Sequence, residues 1–561
     1  MKLYGKLFEL VEDFENLLAA VQEGRTPAYL SGLSQVHKAH LYVGMREKLG
    51  KPVLILTSDE LEARRLCEDL NAMAGEHAAV LFPARDFTFR SVDSVSREYE
   101  QARISVLSKI RVGQCSFVVA SAEAAMQHTI PAEVLLERSV VLSQAQEISM
   151  QAIVEILVRA GYVRRPQIEG VAQFSVRGGI LDFYPPDYGS PVRMEFWGDE
   201  IDTISLFDLE TQRRTDSVDE VHITPASEVL IESNAAMAEK IAAFSKKVRG
   251  KNAPAVREHL QHDIERLESD LDLQGMDRYL PLVYEKPATL FDYLPDAQLF
   301  VSEYTEIKEA ARAYLWQLSE DIKALFEEGV LCKGLDTFTC TFADVQSICD
   351  HRGAVFTDTF AHTVDSIPIR SVFNANAVQL STWSGEVSLL VDDLKSYLAR
   401  GYCCAVLAGT RRAAQALVTD LQKQGLPADF AEDLRHIVLR RVFVLEGNLS
   451  SGFEYPQAHF ALISHQRTGN AGRKKRRAKK AGEMIGSITD LTPGDLVVHV
   501  SHGIGVFSGI HKLDLHGVVK DYIKIRYAGE DTLYVPVTQL DLVSKYVGAR
   551  DDKTVKLNKL N

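Results

Sequence analysis

Residues 27–39 read Pro27-Ala-Tyr-Leu-Ser-Gly-Leu-Ser-Gln-Val-His-Lys-Ala39, which is a short apolar segment, a glycine-containing loop and the start of a helical pattern. Three more short apolar runs follow, at 53–56, 79–82 and 117–120, and a helical pattern at 60–73 separates the first two. Buried strands that alternate with helices are typical of a parallel sheet with helical crossovers. The sequence therefore predicts that the protein begins with an α/β domain.

The loop after the first predicted strand lies where a phosphate-binding loop would lie in a nucleotide-binding α/β domain. Such a loop needs the pattern GxxxxGK followed by Ser or Thr, because its glycines let backbone N–H groups surround the phosphates, its lysine reaches the β and γ oxygens and its hydroxyl holds magnesium. Here Gly32 and Lys38 are present, but His37 replaces the second glycine and Ala39 replaces the hydroxyl residue. Val36 and His37 also disfavour the positive φ angles of that turn. We therefore predict a degenerate site without nucleotide.

A working site of this kind also needs an acidic residue at a strand end to hold magnesium. The apolar run at 299–301 ends in Ser302-Glu303, so a serine stands where the metal-binding aspartate belongs. Asp392-Asp393 also follows an apolar run, but the pattern continues as an amphipathic helix and the pair is interpreted as its solvated face. No GxSxG or HExxH motif occurs, and no Cys–His pairing is supported. We therefore predict no catalytic residues and no enzymatic activity for this chain.

The rest of the chain changes character several times. Residues 126–230 alternate apolar and polar side chains between turn signals and predict a small antiparallel α+β unit. Residues 231–345 predict helices with one strand, and 346–465 predict a second small α/β domain. A Gly-, Lys- and Arg-rich linker spans 466–484, and glycine-bounded strands at 485–548 predict an SH3-like β-barrel. The predicted fold class is a multidomain α/β protein with a C-terminal β-barrel.

Composition narrows the class of protein further. The chain has 561 residues, of which 46% are hydrophobic and 25% charged, and its net charge is −14, so it is not a polyanion binder over its whole surface. No apolar run approaches the ~18 residues of a membrane span, and the acidic N-terminal stretch is not a signal peptide. The seven cysteines form no CxxC pair, which argues for a reducing compartment and against a structural zinc site. We expect a cytoplasmic protein with no metal site and no membrane contact.

One local charge anomaly stands out against this acidic background. It is a run of seven basic residues within the linker, at Arg473, Lys474, Lys475, Arg476, Arg477, Lys479 and Lys480. The run has no interleaved aromatic residues on which bases could stack, so it does not resemble a single-strand binder. Two interpretations stay open, a solvated flexible linker and a non-specific contact with DNA phosphates.

Two further segments carry candidate contact residues. Around residues 162–183, strand alternation predicts Phe174, Val176 and Ile180 inward and places Arg164 and Arg177 on one solvent face, which is either an interaction surface or a solvated sheet face. In the predicted barrel, an open strand edge could accept a strand from a partner, and Pro536 belongs at an edge or a strand end.

These same segments carry a family resemblance. His499-Val-Ser-His502-Gly503-Ile-Gly505 and Leu533-Tyr-Val-Pro-Val537 resemble the RNA-polymerase-interacting domain of bacterial transcription-repair coupling factors, the Mfd family, a module shared with CarD-type regulators. The block at 174–183, with Glu195-Phe-Trp-Gly-Asp-Glu-Ile201, looks like the UvrA-binding segment that this family shares with UvrB. The degenerate loop at Gly32 fits the resemblance, since the UvrB-like module of the family has lost its ATP site.

The resemblance implies a domain order and a set of contact residues. Domain 1A would span 1–125, the UvrA-binding domain 2 would span 126–230, domain 1B 231–345, a third domain without an assigned role 346–465, and the polymerase-binding barrel 485–548. UvrA would be bound through Arg164, Arg177 and Phe183, and the β subunit of RNA polymerase through the strand edge at Val498, His499 and Val500. The UvrB-like part lacks the tyrosine-rich hairpin with which UvrB inspects DNA, so the chain is not expected to verify lesions by itself.

The family also has a translocase that this sequence does not match. Residues 549–561 correspond to the start of the connector, and the chain stops at Lys556-Leu-Asn-Lys-Leu-Asn561, so we expect an N-terminal piece of a longer protein in preference to the product of a truncated gene. ATP, Mg²⁺ and most contact with double-stranded DNA would belong to the translocase, and this part would act as a monomeric adaptor in transcription-coupled nucleotide excision repair. Two alternatives remain, a stand-alone CarD-like regulator and a residual P-loop ATPase that works through Lys38.

Overall fold

The computed structural model describes residues 2–89, 97–269, 271, 273, 275–383, 385–432, 437–465, 483–484, 491–499, 502–515, 518–528, 531–537, 542–545 and 557. The basic run at 473–480, Val500, and nearly all of the predicted linker and of the connector at 549–561 lie outside the described residues, so the predictions for them stay predictions. Within the described ranges, no helix combines the length and the apolar character that crossing a bilayer requires.

The N-terminal segment forms the alternating helices and strands that its sequence predicts. Its elements are α1 (Lys2–Phe8), α2 (Glu12–Gln22), β1 (Ala28–Ser31), α3 (Gln35–Leu49), β2 (Val53–Thr57), α4 (Glu60–Ala74), β3 (Ala79–Phe82), α5 (Glu98–Arg111), β4 (Phe117–Ser121), α6 (Ala122–Met126) and α7 (Ala132–Glu137). Strands β1, β2 and β4 are buried at every position, which is why their sequences are continuous apolar runs.

The second unit is antiparallel apart from one short edge pair. Its elements are β5 (Val140–Ser143), α8 (Met150–Arg159), β6 (Val163–Arg164), β7 (Gln173–Arg177), β8 (Ile180–Phe183), β9 (Val192–Trp197), β10 (Glu200–Phe207), β11 (Arg214–Ser217) and β12 (Glu220–Ile223). Six strands form one sheet in the order β11-β10-β9-β8-β7-β6, and β12 pairs with β5. Helix α8 packs its apolar face, including Ile153 and Leu157, into the core beneath this sheet.

The chain then returns to the first domain. The elements are α9 (Asn234–Ser245), α10 (Ala253–Glu268), a 3₁₀ turn (Met276–Tyr279), α11 (Leu280–Val283), α12 (Leu290–Tyr293), β13 (Gln298–Ser302), α13 (Tyr304–Glu327), α14 (Phe342–His351), β14 (Val355–Asp358) and β15 (Ser371–Asn374). The first sheet has seven strands in the order β15-β1-β14-β13-β2-β4-β3, all of them parallel.

This sheet corrects two predicted boundaries. Strand β13 lies at the centre of the first sheet, so 231–345 is not a separate domain. Strands β14 and β15 flank β1, with Ala28 in register with both Val355 and Ser371, so the predicted start of the third domain at residue 346 is wrong. The physical reason is that Val355–Asp358 is fully buried, as a strand inside a doubly covered parallel sheet must be. The third unit begins after Asn374.

The third unit is a mixed sheet with two helices. Its elements are β16 (Val378–Leu380), α15 (Val387–Ala399), β17 (Cys403–Leu407), α16 (Arg411–Lys423), β18 (Ala428–Phe430), β19 (Val442–Leu445), β20 (Gly452–Tyr455), a 3₁₀ turn (Pro456–Ala458) and β21 (Phe460–Ser464), in the sheet order β16-β20-β21-β17-β19-β18. Its core is continuous with the first domain, since Phe453 and Tyr455 belong to the same apolar cluster as Phe8, Phe14 and Tyr42. The two domains are therefore one packed body.

The C-terminal unit is an antiparallel sheet. Its strands are β22 (Glu483–Met484), β23 (Leu496–His499), β24 (Gly503–Leu515), β25 (Val518–Arg526), β26 (Thr532–Pro536) and β27 (Val543–Lys545), in the order β22-β27-β23-β24-β25-β26. Its core includes Val497, Phe507, Ile523, Ile525 and Leu533. The sheet lies against the first domain, with β25 beside α13.

Candidate functional sites

The loop between β1 and α3 does not have the form of a phosphate cradle. Helix α3 begins at Gln35, and the backbone N–H of Lys38 donates to the carbonyl of Ser34 at 3.0 Å, so this N–H is used inside the helix. Gly32 has φ +89°, and a Cβ there would lie 2.3 Å from the carbonyl oxygen of Ala375. The remaining glycine is therefore explained by a close backbone approach within the protein.

Lys38 is already paired. Its buried ammonium lies 2.6 Å from Oε1 of Glu303 and donates to Oγ of Ser302 at 3.1 Å. Burial opposes ionisation of Glu303, but the charge and hydrogen bond of Lys38, with two hydrogen bonds from Thr359, outweigh it and lower the pKa of that carboxyl. An ion pair inside the protein thus occupies the one residue of the loop that could have contacted a nucleotide.

The remaining polar groups of this region are also mutually satisfied. The Ser302 hydroxyl donates to Oε1 of Glu62 at 3.0 Å, and Ser58 donates to the other oxygen of Glu62 through its backbone N–H and its hydroxyl. Burial raises the pKa of Glu62, and the charge of Lys38 opposes this shift. Ala39 is fully buried. Lys38, Glu62, Ser302 and Glu303 therefore form a closed polar cluster, which we call the Lys38 cluster.

His37 explains why the second glycine of the loop is missing. Its ring is fully buried and lies 5.7 Å from the ring of Phe453 and 5.3 Å from that of Tyr455, both in the third unit. Its Nδ1 lies 2.7 Å from the Ser34 hydroxyl, and burial lowers its pKa to about 3, with a smaller contribution from His40. The imidazole is a neutral packing element between two domains.

The second unit presents a polar sheet face. Side chains of Phe174, Leu181 and Met194 point into the core, so the register of β7, β8 and β9 turns the intervening residues outward. We call these the outer face, and they are Arg177, Ile180, Asp182, Arg193, Glu195, Trp197 and Arg214.

Buried Asp182 organises the arginines of the outer face. Its carboxylate accepts from Arg177 at 2.6 Å and from Arg193 at 2.7 and 2.9 Å. The Arg193 guanidinium also lies 4.5 Å above the Phe207 ring, and Arg214 pairs with Glu195. The Arg177 side chain nevertheless remains 47% exposed. These contacts fix the cationic groups before any partner arrives, which reduces the entropic cost of binding.

Three predictions for this unit are corrected by the structure. Phe183 is fully buried in the core of the unit, so its side chain cannot be a surface anchor. Arg164 is in register with inward-facing Phe174, which places it on the opposite face of the sheet from Arg177. Ile180 is in register with Arg177 and faces outward, since Leu181 takes the inward position. Only Arg177 of the predicted anchors lies on the outer face.

The most exposed aromatic residue of the unit was not among the residues predicted from the sequence. Trp197 is 83% exposed and ends β9, next to the two-residue turn at Gly198, whose φ is +65°. A large apolar side chain left in solvent beside fixed cations is typical of interface residues. The signal was present in the quoted block, because a Trp directly before a Gly-Asp hairpin turn lies at the exposed end of a strand.

The predicted polymerase-binding strand is not at the edge of its sheet. Strand β23 pairs with β24 on one side and with β27 on the other, so Val498 and His499 have neighbours on both sides. His499 is also fully buried. The prediction of strand addition at 498–500 is therefore wrong for its described residues, and the terminal strands in the described sheet order are β22 and β26.

His499 instead faces the first domain. Its Nδ1 lies 3.8 Å from Oε1 of Glu98 at the start of α5, and its ring lies 4.9 Å from that of His502. Burial lowers the pKa of His499 to about 3, with a contribution from His502, and burial also lowers the pKa of His502. Both imidazoles are therefore neutral at neutral pH.

Comparison with known proteins matches the second unit and the C-terminal sheet to two known domain families. Residues 140–229 match the family described as UvrB interaction domain, and residues 491–547 match the CarD-like/TRCF RID domain. The chain is 30% identical over 561 residues to the transcription-repair-coupling factor of Bacillus subtilis (strain 168), covering 98% of this chain and 47% of that protein. It is 28% identical over 548 residues to the factor of that name from Staphylococcus aureus (strain MRSA252), covering 96% of this chain and 46% of that protein.

The resemblance predicted from the sequence is therefore confirmed. The chain is similar along almost all of its length to transcription-repair-coupling factors, and it spans about half the length of the curated relatives it matches.

Proposed function

We propose that this chain is the adaptor part of a transcription-repair coupling factor, with one docking surface for UvrA and one for the β subunit of RNA polymerase. The observation that carries the proposal is the presence, in one chain, of a UvrB interaction domain with an organised outer face and a CarD-like/TRCF RID domain with a strand at its edge. In this proposal the chain is a monomer. ATP hydrolysis and most contact with double-stranded DNA would belong to the part of the relatives that this chain does not match.

The outer face is the proposed UvrA site. Arg177 keeps about half of its side chain exposed while its guanidinium is held by Asp182. Trp197 adds a large apolar surface at the end of the neighbouring strand. Exposed Trp and Arg residues that are already positioned are the residue types most often responsible for binding energy at protein interfaces. The surface of UvrA that binds the outer face would accordingly carry carboxylates and an apolar pocket.

The C-terminal sheet is the proposed polymerase site, and we infer that it is the SH3-like barrel predicted from the sequence. The backbone N–H of Tyr527 donates to the carbonyl of Asp531 at the turn between β25 and β26. In an antiparallel pair the backbone groups of alternate residues bond to the neighbouring strand, so those of Leu533 and Val535 bond to β25 and those of Tyr534 point away from it. Pro536, two residues after Tyr534, also lies at an outward-pointing position, and such a position tolerates a residue without an N–H. The edge of β26 is therefore suited to strand addition by the polymerase.

The Lys38 cluster supports an adaptor without nucleotide chemistry. Binding of a phosphate by Lys38 would require the ion pair with Glu303 to break, leaving a partly buried carboxylate whose remaining described donors come from Thr359. A residual P-loop ATPase is therefore disfavoured. Such an ATPase would be detected as hydrolysis of ATP by the same preparation of the chain that is used for the binding experiments.

The test is co-purification of the full chain with UvrA and, separately, with the β subunit of RNA polymerase. Arg177→Ala and Trp197→Ala are each expected to weaken binding of UvrA and to leave binding of the polymerase unchanged. Trp316→Ala is the matched control, since this tryptophan is 65% exposed but lies on α13 of the first domain and is not part of the outer face. Loss of UvrA binding in Trp316→Ala alone, or no binding by the unaltered chain, would contradict the assignment.

The polymerase arm uses the edge of β26. Tyr534→Pro removes an outward N–H and is expected to abolish polymerase binding, whereas Tyr534→Val keeps the backbone donor and is expected to bind. Circular dichroism of both variants, and their retained binding of UvrA, check that the chain is folded. Equal binding by the two variants would show that β26 is not the docking edge.

A further inference from the structure

Three side chains meet where the C-terminal sheet lies against the first domain. Glu98 comes from the start of α5, His499 is the last residue of β23, and His502 directly precedes β24. One ligand atom from each of the three lies within 4.8 Å of the others. Glu98 and His499 are about 400 residues apart in sequence, so the cluster exists only when the two domains are in contact.

The donor set has a defined chemical preference. Two imidazole nitrogens and one carboxylate oxygen suit divalent first-row transition metals, including Zn²⁺, whereas Mg²⁺ and Ca²⁺ prefer oxygen ligands throughout. Sites with three protein ligands leave a position open to water. A metal binds the neutral form of an imidazole, so loading of such a site releases protons where the ring is charged.

We propose that Glu98, His499 and His502 bind a divalent transition metal ion of the Zn²⁺ type at the junction of the first domain and the C-terminal sheet. The ion would join α5 to the turn between β23 and β24. A metal with ligand distances of about 2.0–2.2 Å brings its ligand atoms to roughly 3.5 Å from one another. Loading would therefore draw the turn and the helix about 1 Å closer together.

A second observation points to a ligand at this place. The hydroxyl of Tyr527 belongs to a side chain that is only 2% exposed and has no hydrogen-bond partner among the described residues. Burial raises the pKa of Tyr527, and the charge of Glu98 adds to this shift. A buried hydroxyl without a partner is costly, and a metal-bound water or a reoriented Glu98 would satisfy it.

The site also borders open space. A cavity of about 500 Å³ is lined by Glu98, Tyr99 and Lys109 of the first domain, Pro186 of the second unit and Leu542 of the C-terminal sheet. A metal at Glu98 would therefore lie where three parts of the protein meet.

The test is metal binding by the full chain, stripped with a chelator and freed of any histidine tag. Calorimetry with Zn²⁺ is expected to give one site per chain. Co²⁺ is expected to give visible absorption bands typical of a low-coordinate nitrogen and oxygen site. Glu98→Gln and His502→Ala should each weaken Zn²⁺ binding by at least ~10-fold, which is the scale seen even for loss of outer-shell partners. His511→Ala is the control, since that histidine is exposed on β24 outside the cluster.

Glu98 and His502 are only partly buried, so their variants should fold even if a change at buried His499 does not. Amide exchange gives a second readout, with Zn²⁺ expected to slow exchange at the start of α5 and in β23 of the unaltered chain only. Zn²⁺ affinity equal in the unaltered chain, Glu98→Gln and His502→Ala would overturn the proposal, as would binding without any protection of these two segments.

Discussion

We predict that removing Lys38 lowers the free energy of unfolding more than removing a surface lysine whose ion pair has a similar length, because the Lys38 pair is more buried. In Lys38→Ala, Glu303 loses a partner at 2.6 Å and keeps its two hydrogen bonds from Thr359. Breaking a buried pair by removing one partner costs ~3–5 kcal/mol. Because Thr359 still solvates the carboxylate, we expect the lower end, about 3 kcal/mol. Lys48→Ala is the matched control, since its pair with Glu9 is 2.7 Å long but has side chains 32% and 39% exposed.

For the Lys48→Ala control the expected loss is ~1 kcal/mol or less. The assay is urea unfolding followed by circular dichroism, comparing the transition in which the joined core of the first domain and third unit is lost. The double variant Lys38→Met with Glu303→Gln removes both charges and keeps the shape, so it should recover most of the stability. Equal losses in Lys38→Ala and Lys48→Ala would refute the reasoning. So would stabilisation of the unaltered chain by Mg-ATP that Lys38→Ala abolishes.

Three further predictions concern other parts of the protein. Burial holds the pKa of His37 at about 3, so the unfolded chain binds a proton that the folded chain does not as pH falls below the ordinary value of 6.5. Between pH 7 and pH 5 this residue should therefore lower the free energy of unfolding by about 2 kcal/mol. His37→Phe should remove this contribution, as measured by urea titrations at the two pH values. Phe183→Ala should destabilise the second unit by ~3–5 kcal/mol and change UvrA affinity only through the fraction unfolded, whereas Arg177→Ala should weaken UvrA binding by ~1–3 kcal/mol with an unchanged melting temperature. Asp182→Asn should weaken UvrA binding even though Asp182 is buried, because both arginines lose their charged acceptor; unaltered affinity would show that arginine positioning is unimportant.

Local sequence patterns predicted most of the helices and strands. The run Val53–Leu56 could be assigned because a strand covered on both faces must be apolar throughout. The acidic pair Asp392-Asp393 was correctly placed on a helix, α15, by its amphipathic continuation. These assignments succeeded because they depend on neighbours within a few residues.

The errors have the opposite origin. Phe183 and Arg177 are equally prominent in the sequence, and only the pairing of β7 with β8 shows which one faces the core. Likewise, the position of β23 inside its sheet depends on β27, a three-residue strand about 45 residues later that no local pattern identifies. The boundary at residue 346 failed because strand order in a parallel sheet does not follow chain order. The cluster of Glu98 with His499 and His502 was missed for the same reason, since the ligands are contributed by different domains.

The position of β1 between β14 and β15 also determines when β1 can pair with its neighbours during synthesis. The partners of Ala28 are Val355 and Ser371, so β1 leaves the ribosome roughly 340 residues before its last neighbour does. At ~5–20 residues per second, this is an interval of ~20–70 s. The second unit, whose strands all lie within residues 140–223, can fold during that interval. During that interval the apolar strand β1 lacks both of its neighbours, so the nascent first domain exposes surface that can aggregate.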